Sequence, residues 1–259
     1  MEQSLYKDLQ VSRGLTYHYY FSPATGTKPT IVFLHGFPST SYDYRHQASF
    51  FSAKGYGVLV PDLLGYGGTA KPEDPAAYVQ SLIVRDVVDI LEAEGVQKFI
   101  SIGHDWGTLT NSRLGNYFPD RVIALGFLNL GYAPPLFTAD FAALSAATKA
   151  AVGYEERAIQ KEFFIKGGFK GPLNWYKVAM RGFANADDKA IPEANYAISQ
   201  PVFFGGCKLD YVCRPELAKP ALDAYTKDVT YREFDGDHWT LLSHPDEVNR
   251  ELLAWIEKL

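Results

Sequence analysis

Five consecutive residues, Gly103-His104-Asp105-Trp106-Gly107, have the types and spacing of a turn that presents a nucleophile. Glycines two positions either side of Asp105 let the backbone fold sharply between a strand and a helix, so that the central side chain stands out above a sheet. A carboxylate there is ionised at neutral pH and needs no base to activate it. It can displace at a saturated carbon and become an alkyl ester of itself, whereas attack on an acyl carbon would give an anhydride. The amide of Trp106 opens the following helix, where it can donate to a developing oxyanion. An Asp in a glycine-bounded turn can also merely cap a helix, so the pentapeptide needs company. Three features supply it in chain order: His35-Gly36-Phe37-Pro38 after the apolar run Thr30–His35, Asp210 after Pro201–Gly206, and His238 after Asp228–Phe234.

Those residues need strands to carry them and helices to cover the strands. Leu5–Val11 and Leu15–Phe21 read as two edge strands joined by Ser12-Arg13-Gly14. Thr30–His35, Val58–Pro61, Lys98–Gly103 and Val122–Leu128 are short apolar runs, with Pro201–Gly206 and Asp228–Phe234 resuming the pattern later. Between them Tyr42–Phe51 is compatible with a helix, and Ala77–Glu94 spaces Val79, Leu82, Ile83, Val87, Ile90 and Leu91 along one helical face. Gly107–Phe118 is a helix stopped by Pro119, and Pro245–Leu259 is an amphipathic helix built on Val248, Leu252, Leu253 and Ile256. Alternation of this kind predicts an α/β fold, a mostly parallel sheet with helices on both faces. The alternation breaks over 131–200, where helical pieces are punctuated by Pro134-Pro135, Gly167-Gly168, Gly171-Pro172 and Pro192. We therefore expect a core from 1–130 and 201–259 with a short helical cap inserted at 131–200.

Composition narrows the function classes. The 259 residues are 47% hydrophobic and 21% charged with a formal net charge of −5, and no Lys/Arg-rich run marks a nucleic-acid binder or a polybasic membrane anchor. No apolar run is long enough for a membrane span, and Met1–Gln10 lacks the apolar centre of a signal peptide. Cys207 and Cys213 read as free thiols of a reducing compartment, which points to the cytoplasm. No spacing of His, Cys or acidic residues suggests a metal, and Gly65-Tyr66-Gly67-Gly68 lacks the Lys-Ser/Thr of a phosphate loop, so neither a metal nor a cofactor is expected.

The assembled motifs resemble those of the α/β-hydrolase superfamily, in its epoxide hydrolase group. Carrying the resemblance are His35-Gly36-Phe37-Pro38, Asp62-Leu63-Leu64-Gly65-Tyr66-Gly67, the Asp105 pentapeptide, Gly171-Pro172-Leu173-Asn174-Trp175-Tyr176, Asp210-Tyr211-Val212 and Gly236-Asp237-His238-Trp239. The resemblance implies an α/β-hydrolase fold with Asp105 as nucleophile, His238 as base and Asp210 as the acid that orients the histidine. It places the Phe37 and Trp106 amides in an oxyanion hole, with Pro38 turning the loop, and makes Tyr176 a proton donor to the epoxide oxygen. A second cap tyrosine falls on Tyr154, or on Ile159 in an alignment anchored at Phe163-Phe164. The implied reaction opens a small apolar epoxide with water to a vicinal diol, by a hydrolase acting on an ether bond. A homodimer is the assembly left open.

Three other readings stay open at this stage. A haloalkane dehalogenase would share Asp105-Trp106 and could hold a halide on the indoles of Trp106 and Trp175, although it normally has a polar residue where Phe37 stands. A fluoroacetate dehalogenase is set aside, because it needs arginines where Trp106 and Leu109 stand, so small halo-acids are not expected as substrates. A biosynthetic isomerase or cyclase could use the same pocket without net addition of water, and a non-hydrolytic ligand-binding protein could keep the pocket and lose turnover.

Overall fold

In the computed structural model, residues 1–136 and 165–259 are described. Their strands form one eight-stranded sheet in the order β1-β2-β4-β3-β5-β6-β7-β8. The strands are β1 (Tyr6–Gln10), β2 (Thr16–Ser22), β3 (Thr30–Leu34), β4 (Gly57–Pro61), β5 (Phe99–His104), β6 (Val122–Leu128), β7 (Val202–Cys207) and β8 (Val229–Phe234). From β4 onward every pairing is parallel, while β1 and β2 are antiparallel to each other and β2 to β4. One expectation needs correction. β1 is an edge strand, but β2 lies between β1 and β4, and Tyr17, Tyr19, Tyr20 and Phe21 are all buried, so both of its faces are covered.

Strands β3, β4, β5 and β7 are buried at every position, which is why they read as continuous apolar runs rather than alternating ones. Successive residues serve opposite faces. Val32 and Leu34 join the layer of α2 (Gln80–Ala93) and α3 (Gly107–Tyr117), while Ile31 and Phe33 join that of α1 (Arg45–Ala53) and the C-terminal helix Pro245–Ile256. The functional loops follow the carboxyl ends of β3, β5, β7 and β8, the usual place for ligand chemistry in a parallel sheet.

Between β6 and β7 the described residues contain the helices α4 (Pro172–Met180) and α5 (Phe183–Asp188) and no strand longer than the single bridge Ile198–Thr226. After β7 comes α6 (Pro215–Tyr225), which the sequence pattern does not reveal. Pro215 suits a first helical position, but Pro220 lies inside the helix and only Ala218 and Leu222 are buried, so the periodic signal is thin. The short α7 (Thr240–Ser243) and α8 (Pro245–Ile256) close the fold.

A buried ion pair fastens α5 to α3. Arg113 donates to Asp188 at 2.7 and 2.6 Å and to the Ala133 carbonyl at 2.7 Å, and the Leu136 amide reaches the same carboxylate at 2.9 Å. Both side chains are almost fully enclosed, so Asp188→Ala would leave a guanidinium buried without its counter-charge. That change is expected to destabilise the fold by about 3–5 kcal/mol, and replacing both partners with apolar residues should recover most of the loss. Urea unfolding of the two variants checks this. Equal loss in both would show that the charge itself is not the issue.

Candidate active site

Asp105 follows β5 directly and sits at φ 51°, in the left-handed region that costs an ordinary residue about 1–2 kcal/mol and that Asp tolerates better than most. The flanking glycines are required by close approach. A Cβ on Gly107 would lie 2.0 Å from the Leu34 carbonyl oxygen, and one on Gly103 would lie 2.5 Å from that of Gly107. Gly36 is constrained by the site itself, since a Cβ there would fall 2.1 Å from Asp105 Oδ1. That absence of a side chain lets the Phe37 amide donate to Asp105 Oδ1 at 2.7 Å. The loop is braced by His35, whose Nδ1 donates to the Gly36 carbonyl and whose Nε2 accepts from the Leu63 amide, both at 2.9 Å. Burial lowers the His35 pKa, so the neutral ring these two bonds require is also the favoured one.

On the other side, Asp210 stands in the loop after β7. Its Oδ2 accepts from His238 Nδ1 at 2.9 Å and Asn129 Nδ2 at 2.7 Å, and its Oδ1 from the amides of Val212 and Cys213 at 2.9 and 2.8 Å. Burial opposes ionisation, but the His238 hydrogen bond and charge, with the Cys213 amide and Asn129, outweigh it and hold the pKa down to about 2. With Nδ1 committed to Asp210, His238 turns Nε2 toward Asp105 Oδ2, 3.6 Å away. His104 donates from Nε2 to the His238 carbonyl at 2.7 Å, and burial with the neighbouring His238 lowers its pKa to about 4. It is a neutral strut for the histidine loop, in keeping with a structural part in the turn.

The Asp105 carboxyl is also held below its ordinary pKa. Burial acts against this, and His238, His104 and the Phe37 amide overcome it. His238 is raised well above 6.5 for the complementary reason: burial lowers it, yet Cys213 and the carboxylates of Asp105 and Asp210 more than compensate.

Tyr176 is placed by α4, and α4 is clamped to the loop after β4 through the backbone. Gly171 and Gly65 pack main chain on main chain, such that a Cβ on either would come within 2.9 Å of the other's backbone. Trp175 Nε1 donates to the Leu64 carbonyl at 2.9 Å, and Asn174 reaches the carbonyls of Pro72 and Glu73 at 3.2 Å. The Tyr176 ring then stands edge-on to Phe37 and Trp106, with centroids 5.4 and 4.8 Å away. Burial and the charge of Asp105 raise its pKa, and the neighbouring Trp106 only partly offsets them, so the phenol keeps its proton.

The structure therefore brings together Asp105, Asp210, His238, Phe37, Trp106 and Tyr176. Tyr154, its competitor Ile159 and the Phe163-Phe164 anchor lie outside the described residues. Sequence reasoning passed over Asn129, held at φ 69° beyond β6, and Cys213. The expectation of no metal rested on spacing along the chain, which could not foresee that Asp105, Cys213 and His238 place a carboxylate oxygen, a sulfur and a ring nitrogen within 4.8 Å of one another. No described helix is long and apolar enough to cross a membrane.

A family model described as the alpha/beta hydrolase fold matches residues 29–152. The chain is similar to "Epoxide hydrolase 3" of Siraitia grosvenorii, 40% identical over 111 residues that cover 43% of this chain and 35% of that one. It is also similar to "Bifunctional epoxide hydrolase 2" of Mus musculus, 25% identical across 90% of this chain and 52% of the other. These matches thus span about a third to a half of those curated relatives. Among solved structures, potato (Solanum tuberosum) epoxide hydrolase I superposes with a TM-score of 0.78 at 24% identity over 98% of this chain and 99% of that one. Epoxide Hydrolase A from Mycobacterium thermoresistibile does so with a TM-score of 0.79 at 24% identity over 97% and 98%. With an aspartate in the turn after β5 and a sheet of this order, the chain has the α/β-hydrolase fold.

Proposed function

We propose that the protein hydrolyses a small apolar epoxide to a vicinal diol through an alkyl ester on Asp105. The observation that carries this reading is the phenol of Tyr176, still protonated and fixed by Trp106 and Phe37 within the field of the Asp105 carboxylate. In the first step Asp105 attacks a ring carbon, the carbon–oxygen bond breaks, and Tyr176 gives its proton to the departing oxygen. In the second, the imidazolium returns a proton to Tyr176 and the neutral His238 takes one from water that attacks the ester carbonyl, with the Phe37 and Trp106 amides holding the oxyanion. Collapse breaks the bond to the diol oxygen, which takes its proton from the newly formed Asp105 carboxyl and leaves the carboxylate and an imidazolium stabilised by Asp210, as at the start. Residues 131–200 serve as a cap that brings Tyr176 over the core, and Tyr154 is the second phenol of the cap unless Ile159 takes its place. A cytoplasmic setting and a homodimer complete the reading, the latter open to sedimentation analysis.

The halide alternative is disfavoured by the same contacts. A departing halide needs indole N–H donors, but Trp175 is committed to the Leu64 carbonyl. Assay against styrene oxide, an aliphatic epoxide and a bromoalkane separates the readings by product: diol from either epoxide, bromide from the third. An isomerase or cyclase would consume an epoxide without forming diol, and a binding protein would consume none. Tyr176→Phe keeps the ring packing and removes the donor, and is expected to slow epoxide opening by roughly 10²–10³ in a single turnover. An unchanged single-turnover rate would remove the main support for epoxide chemistry.

A further inference from the structure

We propose that Asp105, Cys213 and His238 form a binding site for a thiophilic divalent cation, zinc foremost, which holds the enzyme in a reversibly inhibited state. The donor set is one carboxylate oxygen, one sulfur and one imidazole nitrogen, the three ligand types zinc accepts. All three residues are buried, and the donor atoms lie within 4.8 Å of one another. Tetrahedral bonds of about 2.0–2.3 Å put adjacent donors roughly 3.3–3.7 Å apart. The Asp105–His238 pair already stands at 3.6 Å, so only the sulfur contacts need tighten.

The surroundings also suit a metal. His238 Nδ1 is bonded to Asp210, which fixes the tautomer and aims Nε2 inward, the carboxylate–histidine arrangement found behind metal-bound imidazoles. The Cys213 amide is tied to the other oxygen of the same Asp210, so one carboxylate positions two of the three donors. Metal capture exchanges the S–H bond of Cys213 and the Nε2–H bond of the His238 ring for bonds to the metal and releases both protons to solvent, leaving the fourth tetrahedral position for water. No oxidation change is involved. The inhibitory half of this inference rests on the proposed roles of Asp105 and His238, since the cation would occupy the nucleophile and the base together. The binding half does not.

Cobalt(II) titration of the whole protein reads the site without any substrate. Wild type should take up one equivalent with tetrahedral d–d absorption and a near-ultraviolet thiolate-to-cobalt band, both abolished when zinc is added. Cys213→Ser, close in volume to the native side chain, should lose the band, and Cys213→Ala should do the same. Cys207→Ser should retain it, because that buried thiol is not one of the three donors. Asp210→Asn should weaken zinc binding by roughly 10–100-fold, as expected when a group behind a metal-bound histidine is altered. A spectrum without a thiolate band, or a band that survives both Cys213 variants in folded protein, would overturn the site. Stoichiometric zinc that leaves epoxide turnover intact would instead count against Asp105 and His238 as the reacting pair.

Discussion

Replacement of His238 by glutamine is expected to leave a covalent ester on Asp105 that does not turn over. Alkylation needs only an ionised carboxylate, and Asp105 retains the Phe37 amide at 2.7 Å and the neighbouring His104 after the change. Hydrolysis of the ester needs a base, whose removal typically costs 10²–10⁴-fold, so the intermediate should accumulate to near one equivalent. The two steps also place opposite demands on the histidine. Before alkylation the Asp105 charge helps to hold the His238 pKa high; ester formation removes that charge and lets the ring become a base when water must be activated. Because the Asp105 pKa is depressed, the alkylating form persists as pH falls toward the ordinary carboxylate range, whereas ester hydrolysis should decline in acid as the imidazole is protonated. Intact-protein mass spectrometry of the quenched variant reads the outcome: an epoxide adds its whole mass, a haloalkane its mass less HX. Absence of any adduct with a substrate that wild type turns over would defeat the two-step reaction.

Replacement of Asp105 itself should have a larger effect. Asp105→Ala is expected to reduce turnover by on the order of 10⁴–10⁶, the scale seen when a member of such a catalytic unit is lost. The fold should survive. The side chain stands at a turn, and the penalty is the left-handed backbone without a polar side chain, about 1–2 kcal/mol, plus a Phe37 amide left without its acceptor, about 1–3 kcal/mol. Circular dichroism and thermal melting should therefore show a folded, modestly weakened protein. Activity above a tenth of wild type in that folded variant would exclude Asp105 as the nucleophile.

Asp105, Asp210 and His238 were legible in the sequence because each follows an apolar run ending in a turn, and local pattern is what a sequence displays. Tyr176 was legible only through its motif, since a Trp-Tyr pair on a helix is more often packing than chemistry. The glycines at 103 and 107 were found by type, yet their reason is contact with the backbones of neighbouring segments, visible only once the sheet is assembled. Asn129 reads from sequence as an ordinary residue at a strand end, although it donates to the same oxygen as His238. Cys213 could not be connected with Asp105 and His238 because their proximity is made by tertiary folding. The helix α6 was obscured by its two prolines, and the interior place of β2 by a hairpin pattern that does not say which neighbour a strand acquires.

The anchorage of α5 bears on how this protein could be recombined with its relatives. Arg113 sits on the helix that begins just after Asp105, and its guanidinium grips Asp188, while Ser81 on α2 donates its amide to Asp187 at 2.8 Å. Asp105 and α5 are thus both positioned by α3, with α2 holding α5 from a second side, and the described helices between β6 and β7 are not a freely transferable cassette. A chimera that exchanges 131–200 without matching positions 81 and 113 would bring together two halves whose carboxylates and partners, the Arg113 guanidinium above all, were never chosen for each other. The natural unit of exchange includes α5 together with the faces of α2 and α3 on which it rests.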